Sequence, residues 1–515
     1  MTVRGTRVFA NAIISSARRP ATLIIAVLLT PFILHQLGKE LYGIWALTGS
    51  VLAYTGLLKL GLTSVLDYRL PRLIAQGDTE GANRLVSSVM AMFTFAALIA
   101  CIFVAIMTWK FTDWFNVPPG HELASRIVVA MVGIGVVVQI PLSVYNGVLA
   151  GLQRYDAMTG VYVISQVVRA VGVVILLVGG TGLIGLASIS VAVQVAGAAW
   201  LVVIAHRLLP ALAPGWSHFD RSMLPGLVGY SVNTLMWGAG QILMLQSGKT
   251  LAGLLYDPAA VTDFSIPFML LMMIGQMVAQ ATRTIKPATS QLQATDQEDS
   301  IRKMFLLTTK YTLLITLPAT AALMLHADNI LEAWVGADFA GRSATLLIVM
   351  TVPQMIRITL LGSFYVLSGL GKHRLFGGLA LAQSVLAVVL GWFLAIPCDL
   401  GLLGIALGVS IPELIGSGWI VPIYCNRRLG LTARDELRQC FAPALAATVP
   451  FLLYCAAVRI WLPMHTRLEF ALIFGLSLVP LTVGIWLWGI GPDERGVVTR
   501  YLARRRRALG RQRAR

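Results

Sequence analysis

Long apolar stretches recur from Pro20 to Ile490, each near twenty residues and each closed by a short polar break. A helix of that length crosses roughly 30 Å of hydrocarbon. In a bilayer only helices and closed barrels satisfy every backbone N–H and C=O. The short, strictly alternating segments of a barrel are missing. The chain therefore reads as an all-α polytopic membrane protein of the inner-membrane type. Composition agrees: charged residues make up 12% of the 515, with a mean hydropathy of +0.78, against about a quarter charged in soluble domains.

About fourteen spans are expected, near 16–36, 41–66, 83–108, 125–150, 159–179, 182–205, 223–247, 258–283, 304–326, 343–368, 374–397, 402–425, 440–460 and 467–490. Arg18 and Arg19 stand at the start of the first. The connections are short and leave no room for a separate soluble domain. No cleavable signal peptide stands out in MTVRGTRVFANAIISSARRP. A cytoplasmic N-terminus puts most of the 40 Lys and Arg on the cytoplasmic side, as the positive-inside bias requires. Both termini then lie inside. The basic tail RYLARRRRALGRQRAR, from Arg500, is expected to face anionic lipid, at about 1 kcal/mol per charge near the surface. A protein partner is the alternative for this tail, and nucleic acid is not expected. Cys101, Cys398, Cys425, Cys440 and Cys455 lack paired spacing and read as packing residues. The seven histidines form no metal-ligand pattern, and no cofactor is expected.

The chain repeats its own grammar. VLAGLQRYD (148–156) returns as VLSGLGKHR (366–374), 218 residues later. Asp78, Glu80 and Arg84 are answered by Asp296, Glu298 and Arg302, and Arg154 by Lys372, at the same shift. TGLIGLA at Thr181 is answered by LGLLGIA at Leu400, one residue further on. The offset covers six spans, an even number, so both copies face the same way. Two parallel six-helix lobes around a central cavity are expected: residues 1–210 and 211–430. An additional helix pair (431–492) and the basic tail (493–515) follow. Gly182 and Gly401 stand at tight hairpins, where a Cβ would hinder the turn.

ILHQLGKELYGIWALTGSVLAYTGLLKLGL, RLIAQGDTEGANRLV and GVLAGLQRYD resemble the polysaccharide-biosynthesis flippase family of the multidrug/oligosaccharidyl-lipid/polysaccharide exporter superfamily. The matching features are Leu37-Gly38, Glu40, Tyr42-Gly43, Gly61, Gly77-Asp78 and Gly151-Leu152-Gln153-Arg154. They cover most of the chain, most strongly residues 30–200, and form a diffuse pattern rather than a catalytic signature. The resemblance implies a transporter and not an enzyme. It would move an undecaprenyl-diphosphate-linked oligosaccharide from the cytoplasmic to the periplasmic leaflet through a cationic cavity, for exopolysaccharide, capsule or O-antigen synthesis. The resemblance also implies a polysaccharide polymerase as a partner. Before the eighth helix many members carry an acid; this chain has Ser247-Gly248-Lys249, which puts substrate or ion coupling in question there.

A diphosphate and its sugar cannot cross hydrocarbon unmatched. Cations for phosphate and amides or hydroxyls for sugar are the chemistry to look for. Lys59, Arg169 and Arg357 are the basic residues within spans. Arg169 shares a helix face with Tyr162 and Gln166, and Arg357 follows Pro353-Gln354. Each is a cavity candidate; an internal salt bridge or snorkelling to an interface are the alternatives. Gln276, Gln280 and Arg283 form a second stripe in the eighth span, with Lys286 beyond; helix–helix hydrogen bonding is its plainer explanation. The same holds for Gln139 and Asn146 in span 4 and for Asn233 and Gln241 in span 7. Glu413, after Pro412, is the acid deep in a span. It is a candidate for proton or sodium coupling, unless it pairs with Arg357 or Arg169. MLLMMIGQM reads as packing or lipid-facing surface.

Three other functions fit a chain of this class. A drug/cation antiporter of the same superfamily would want acids in the first helix, and none lies between Pro20 and Gln36. A peptidoglycan-precursor flippase would share the mechanism. A membrane glycosyltransferase or polymerase should present a sizeable outer loop with acid–base residues, and WKFTDWFNVPPGHELASR is short.

Overall fold

A computed structural model describes residues 3–59, 62–282, 285–371, 374–461, 467–491 and 494–496. Arg283, Lys372 and the tail beyond Gly496 lie outside the described residues, as does the side chain of Asn233. The described chain is helical throughout. The helices are α1 (Val3–Ala53), α2 (Leu62–Ala75), α3 (Thr79–Trp114), α4 (Glu122–Leu142), α5 (Val144–Gly151), α6 (Tyr155–Val178), α7 (Gly182–Leu208), α8 (Leu224–Leu255), α9 (Pro258–Thr282) and α10 (Ile285–Ala294). They continue with α11 (Glu298–Leu325), α12 (Ala327–Val335), α13 (Arg342–Thr359), α14 (Leu361–Gly369), α15 (Arg374–Ala395), α16 (Gly401–Ile415), α17 (Val421–Leu429), α18 (Ala433–Glu436), α19 (Ala442–Trp461), α20 (Arg467–Leu476) and α21 (Leu478–Gly484).

Among the described residues, 12 helices are long and apolar enough to cross a membrane. The difference from fourteen has two sources. The first two expected spans run together along α1, which is broken at Gly38 (φ 77°, ψ 174°) rather than ended there, and along the 3-10 turn Tyr54–Lys59 that continues it. The seventh corresponds to α8, which is not among the 12 because the side chains of residues 224–235 lie outside those described; it runs eight residues past the expected end at Ser247.

The lipid-facing side is visible in α3. Phe95, Leu98, Ile102, Ile106 and Trp109 recur at helical spacing, and all are exposed. An apolar stripe left uncovered in this way suits contact with acyl chains. Between helices the driving force is close packing, and small residues permit it. At the α15–α16 crossing, a Cβ on Gly408 would lie 2.2 Å from the Cα of Gly391. Any side chain at Gly408 would force these helices apart.

The backbone repeats as well as the letters. Left-handed residues pair along the chain as Gly77 with Asp296, Asn116 with Gly336, Gln153 with Gly371, Gly180 with Asp399 and Gly182 with Gly401, at separations of roughly 219. The helix that follows the first pair opens at Thr79 after Asp78 and at Glu298 after Gln297. In this turn the backbone therefore aligns Asp296 with Gly77. Matching letters alone had aligned it with Asp78.

The helices group into two compact units. The first comprises Met1–Gln280, Gly341–Met350 and His373–Gly416. In it α1 packs on α6 and α8, α4 on α3 and α7, α6 on α7, and α15 on α8 and α16. One core gathers Phe93, Val89, Leu66, Leu70, Ile140 and Val148. The second comprises Ala281–Ala340, Thr351–Lys372 and Ser417–Arg515. Here α11 packs on α14 and α19, α10 on α14, and α19 on α21.

Candidate functional site

A cavity of about 690 Å³ lies within the first unit. Its wall takes Trp45 and Ser50 from α1, Gln139 from α4, Asn146 from α5, Tyr162, Gln166 and Arg169 from α6, Ser190 and Gln194 from α7, and Gln246 and Lys249 from α8. Helical periodicity builds the α6 row. Residues 162, 166 and 169 fall on one face, and their side chains are linked. Gln166 Nε2 donates to the Tyr162 hydroxyl at 2.8 Å, and Arg169 Nε donates to Gln166 Oε1 at 3.0 Å. The terminal guanidinium nitrogens of Arg169 make no hydrogen bond among the described residues. Arg169 is thus aimed by a neutral amide and keeps its two-pronged donor end available.

Opposite charges are absent from this wall. Among the described residues no carboxylate lines the cavity, and neither Arg169 nor Lys249 joins an ion pair. Amides fill the remaining positions. Gln194 Nε2 donates to Gln139 Oε1 at 2.6 Å, tying α7 to α4. Gln246 Oε1 is buried without a partner among the described residues. Beside Lys249, Ser50 Oγ lies 3.2 Å from Thr250 Oγ1, whose second neighbour is the Tyr54 hydroxyl at 3.0 Å. This network fixes α1 against α8. An arrangement of fixed cations, amides and hydroxyls without acids is suited to an anion that carries neutral polar groups.

Of the residues expected from sequence, the cavity brings together Arg169, Tyr162, Gln166, Gln139 and Asn146. Lys59, Gln276, Gln280, Arg357 and Glu413 are not among its lining residues. Lys59 ends the short 3-10 turn Tyr54–Lys59 and is half-buried. Gln276 is exposed on α9, and Gln280, one turn on, is half-buried with its Oε1 lacking a partner among the described residues. Arg357 belongs to the second unit, where its Nε donates to Gln354 Oε1 at 3.0 Å. It is held as Arg169 is held, by the glutamine three residues earlier. Glu413 is buried at 2% exposure on α16, next to the Pro412 carbonyl that accepts from Gln383 Nε2 at 3.0 Å. Gln241 is half-buried on α8. Lys249 is the cavity cation that the hydropathy reading left between the seventh and eighth spans. The signal was the resumption of TLAGLL after it, which carries α8 on to Leu255.

The protein family described as polysaccharide biosynthesis protein matches residues 71–343, over half of the chain. The chain belongs to this family. It is 22% identical over 448 residues to EpsK, an uncharacterised membrane protein of Bacillus subtilis (strain 168), covering 85% of this chain and 86% of that one. Among solved structures it resembles the lipid II flippase MurJ in an inward closed conformation (12% identity, TM-score 0.68, 92% and 98% of the two chains). It also resembles an inward-facing multidrug-resistance MATE family transporter of the MOP superfamily (15%, 0.61, 84% and 95%). A third is a MOP superfamily transporter from Pyrococcus furiosus (15%, 0.59, 82% and 95%). At these identities the likeness establishes the fold, and the expected resemblance to this superfamily is borne out.

Proposed function

We propose that this membrane protein is a flippase. It moves a polyprenyl-diphosphate-linked oligosaccharide from the cytoplasmic to the outer leaflet of a bacterial inner membrane by alternating access, for exopolysaccharide, capsule or O-antigen assembly. The observation that carries this reading is the acid-free cavity holding Arg169 and Lys249 among Gln139, Gln166, Gln194 and Gln246. The cations match phosphate oxygens and the amides match sugar hydroxyls, so the polar head is solvated by the protein while its lipid tail stays in hydrocarbon. A cavity for cationic drugs would need carboxylates, which this wall does not supply. A peptidoglycan precursor has the same kind of head, and membership of the polysaccharide biosynthesis family favours the oligosaccharide.

The rest of the reading follows the charge bias and the repeat: both termini cytoplasmic, repeated lobes 1–210 and 211–430, an added helix pair at 431–492, and a basic tail against anionic lipid. Arg357, Gln276, Gln280, Arg283 and Lys59 remain candidates for cargo contact in other steps of the cycle, Glu413 for ion coupling, and a polymerase for the receiving partner. Reconstitution tests the proposal. Vesicles containing the full chain should move a fluorescent short-chain polyprenyl-diphosphate oligosaccharide between leaflets faster than protein-free vesicles. Equal rates, or export of cationic dyes instead, would overturn it.

A further inference from the structure

Lys249 is seated unlike Lys39 and Lys310. Lys39 meets Asp263 at 3.2 Å and Lys310 meets Glu494 at 2.7 Å. Lys249 meets neither a carboxylate nor a hydrogen-bond acceptor among the described residues. Its Nζ stands 5.6 Å from the centre of the Phe268 ring, within range for attraction to an aromatic face. Phe268 is itself stacked on Phe264, with ring centres 6.1 Å apart and planes 26° apart. Both rings are buried, at 3% and 2% exposure.

Gly248 makes room for this stack. A Cβ there would lie 2.3 Å from Phe264 Cζ, so only a glycine leaves the inner ring in place. The order is therefore Gly248, Phe264, Phe268, then the ammonium, all within the first unit. An aromatic face attracts a cation without accepting its hydrogen bonds. A carboxylate in its place would take one or two of the three N–H donors and cancel the charge. The stack positions Lys249 and leaves its donors to the cavity that it lines with Arg169.

We propose that Lys249, seated on the Phe264–Phe268 stack that Gly248 admits, is the specificity-determining residue that makes the cavity select a diphosphate over a monophosphate. The inference rests on the flippase reading for its cargo, and on this seat for the residue. One fixed guanidinium suffices for a monophosphate. A second cation in the same cavity, with all its donors available, adds affinity in proportion to the second phosphoryl group. The same chemistry would serve a carboxylate on an acidic sugar, so the test separates the two sources.

The experiment measures the affinity of the detergent-solubilised full chain for farnesyl diphosphate and for farnesyl monophosphate, probes without any sugar. Wild type should prefer the diphosphate. Lys249→Gln should lose about ten- to a hundredfold in diphosphate affinity, the worth of one charge-assisted contact, and most of the preference. Lys249→Arg should retain part of both. Phe268→Leu should lose a smaller part while keeping the charge, and Gly248→Val should resemble it. Lys249→Gln protein that melts like wild type and still prefers the diphosphate as wild type does would overturn the assignment. If Lys249→Gln is unstable, undiminished preference in Phe268→Leu would overturn it. A glucuronate-bearing disaccharide that competes where pyrophosphate does not would also overturn it, by moving the anion to the sugar. Failure of the flippase reading looks different: no leaflet transfer by wild type, with Lys249-dependent diphosphate binding intact.

Discussion

Lys310 in the second unit and Lys249 in the first are both lysines carried into the apolar part of the chain by long helices, and they are treated in opposite ways. Lys310 Nζ lies 2.7 Å from each carboxylate oxygen of Glu494, and its side chain is 9% exposed. Glu494 also accepts from the Gly491 N–H at 2.6 Å. Every charge in that site is answered by chain from 184 positions away, which ties α11 to the end of the last helices. Lys249 lies over a ring, and Arg169 leans on a glutamine amide. A cation matched by a carboxylate belongs to the fold. A cation aimed by neutral groups into a cavity keeps its field for something that arrives. On the proposed function, the difference separates structural charge from charge kept for cargo.

Substitutions can break that comparison. The largest loss of stability is expected from Glu494→Ala, which strands the Lys310 ammonium in an apolar site, at about 3–5 kcal/mol. Thermal unfolding in detergent measures it, and Lys310→Met in the same chain should recover most of the loss. An unchanged melting temperature in Glu494→Ala would remove the distinction. Next comes Asp263. It accepts from Lys39 Nζ at 3.2 Å and Ser343 Oγ at 3.1 Å, with Arg342 at 4.0 Å. Asp263→Ala should cost about 1–3 kcal/mol by the same readout. Arg169→Ala and Lys249→Gln, which remove no carboxylate partner, should melt close to wild type.

The smallest effect concerns Arg459 and Asp328, bonded at 2.7 Å but more than a third exposed. Burial alone would raise the Asp328 carboxyl. The Arg459 guanidinium and the Asn329 backbone N–H pull it further the other way, leaving it below the ordinary carboxylate range. A carboxyl depressed in the folded state stabilises above its unfolded value, and that contribution fades as pH falls through the folded value. Arg459→Ala should therefore lower stability by under about 1 kcal/mol near neutrality. The gap from wild type should close on acidification, which melting curves down to acidic pH would follow.

Much of the fold was legible because hydropathy and the repeat are written in short range. A span must be about twenty residues long, and a left-handed turn favours glycine or a short polar residue. Gly182 and Gly401 were therefore readable as turns, and both have φ 59°. Asp296 was harder: identity drew it to Asp78, whereas its φ of 50° aligns it with Gly77. The cavity was half legible. Periodicity put Tyr162, Gln166 and Arg169 on one face but could not say what that face meets, and the same reasoning applied to Gln276 and Gln280 gave residues that do not line it. Lys249 was missed because a charged residue ends a hydropathy window even where the helix continues. Pairings such as Lys310 with Glu494 are set by tertiary packing between distant segments, which no local pattern carries.

The most direct test is leaflet transfer of a fluorescent polyprenyl-diphosphate oligosaccharide by vesicles containing Arg169→Ala, normalised to inserted protein. Inserted protein should equal wild type, and transfer should fall by about one to two decades, the worth of one charge-assisted contact, with Arg169→Lys recovering part of it. Arg169→Ala vesicles that transfer at the wild-type rate would contradict the assignment of the cavity cations to cargo.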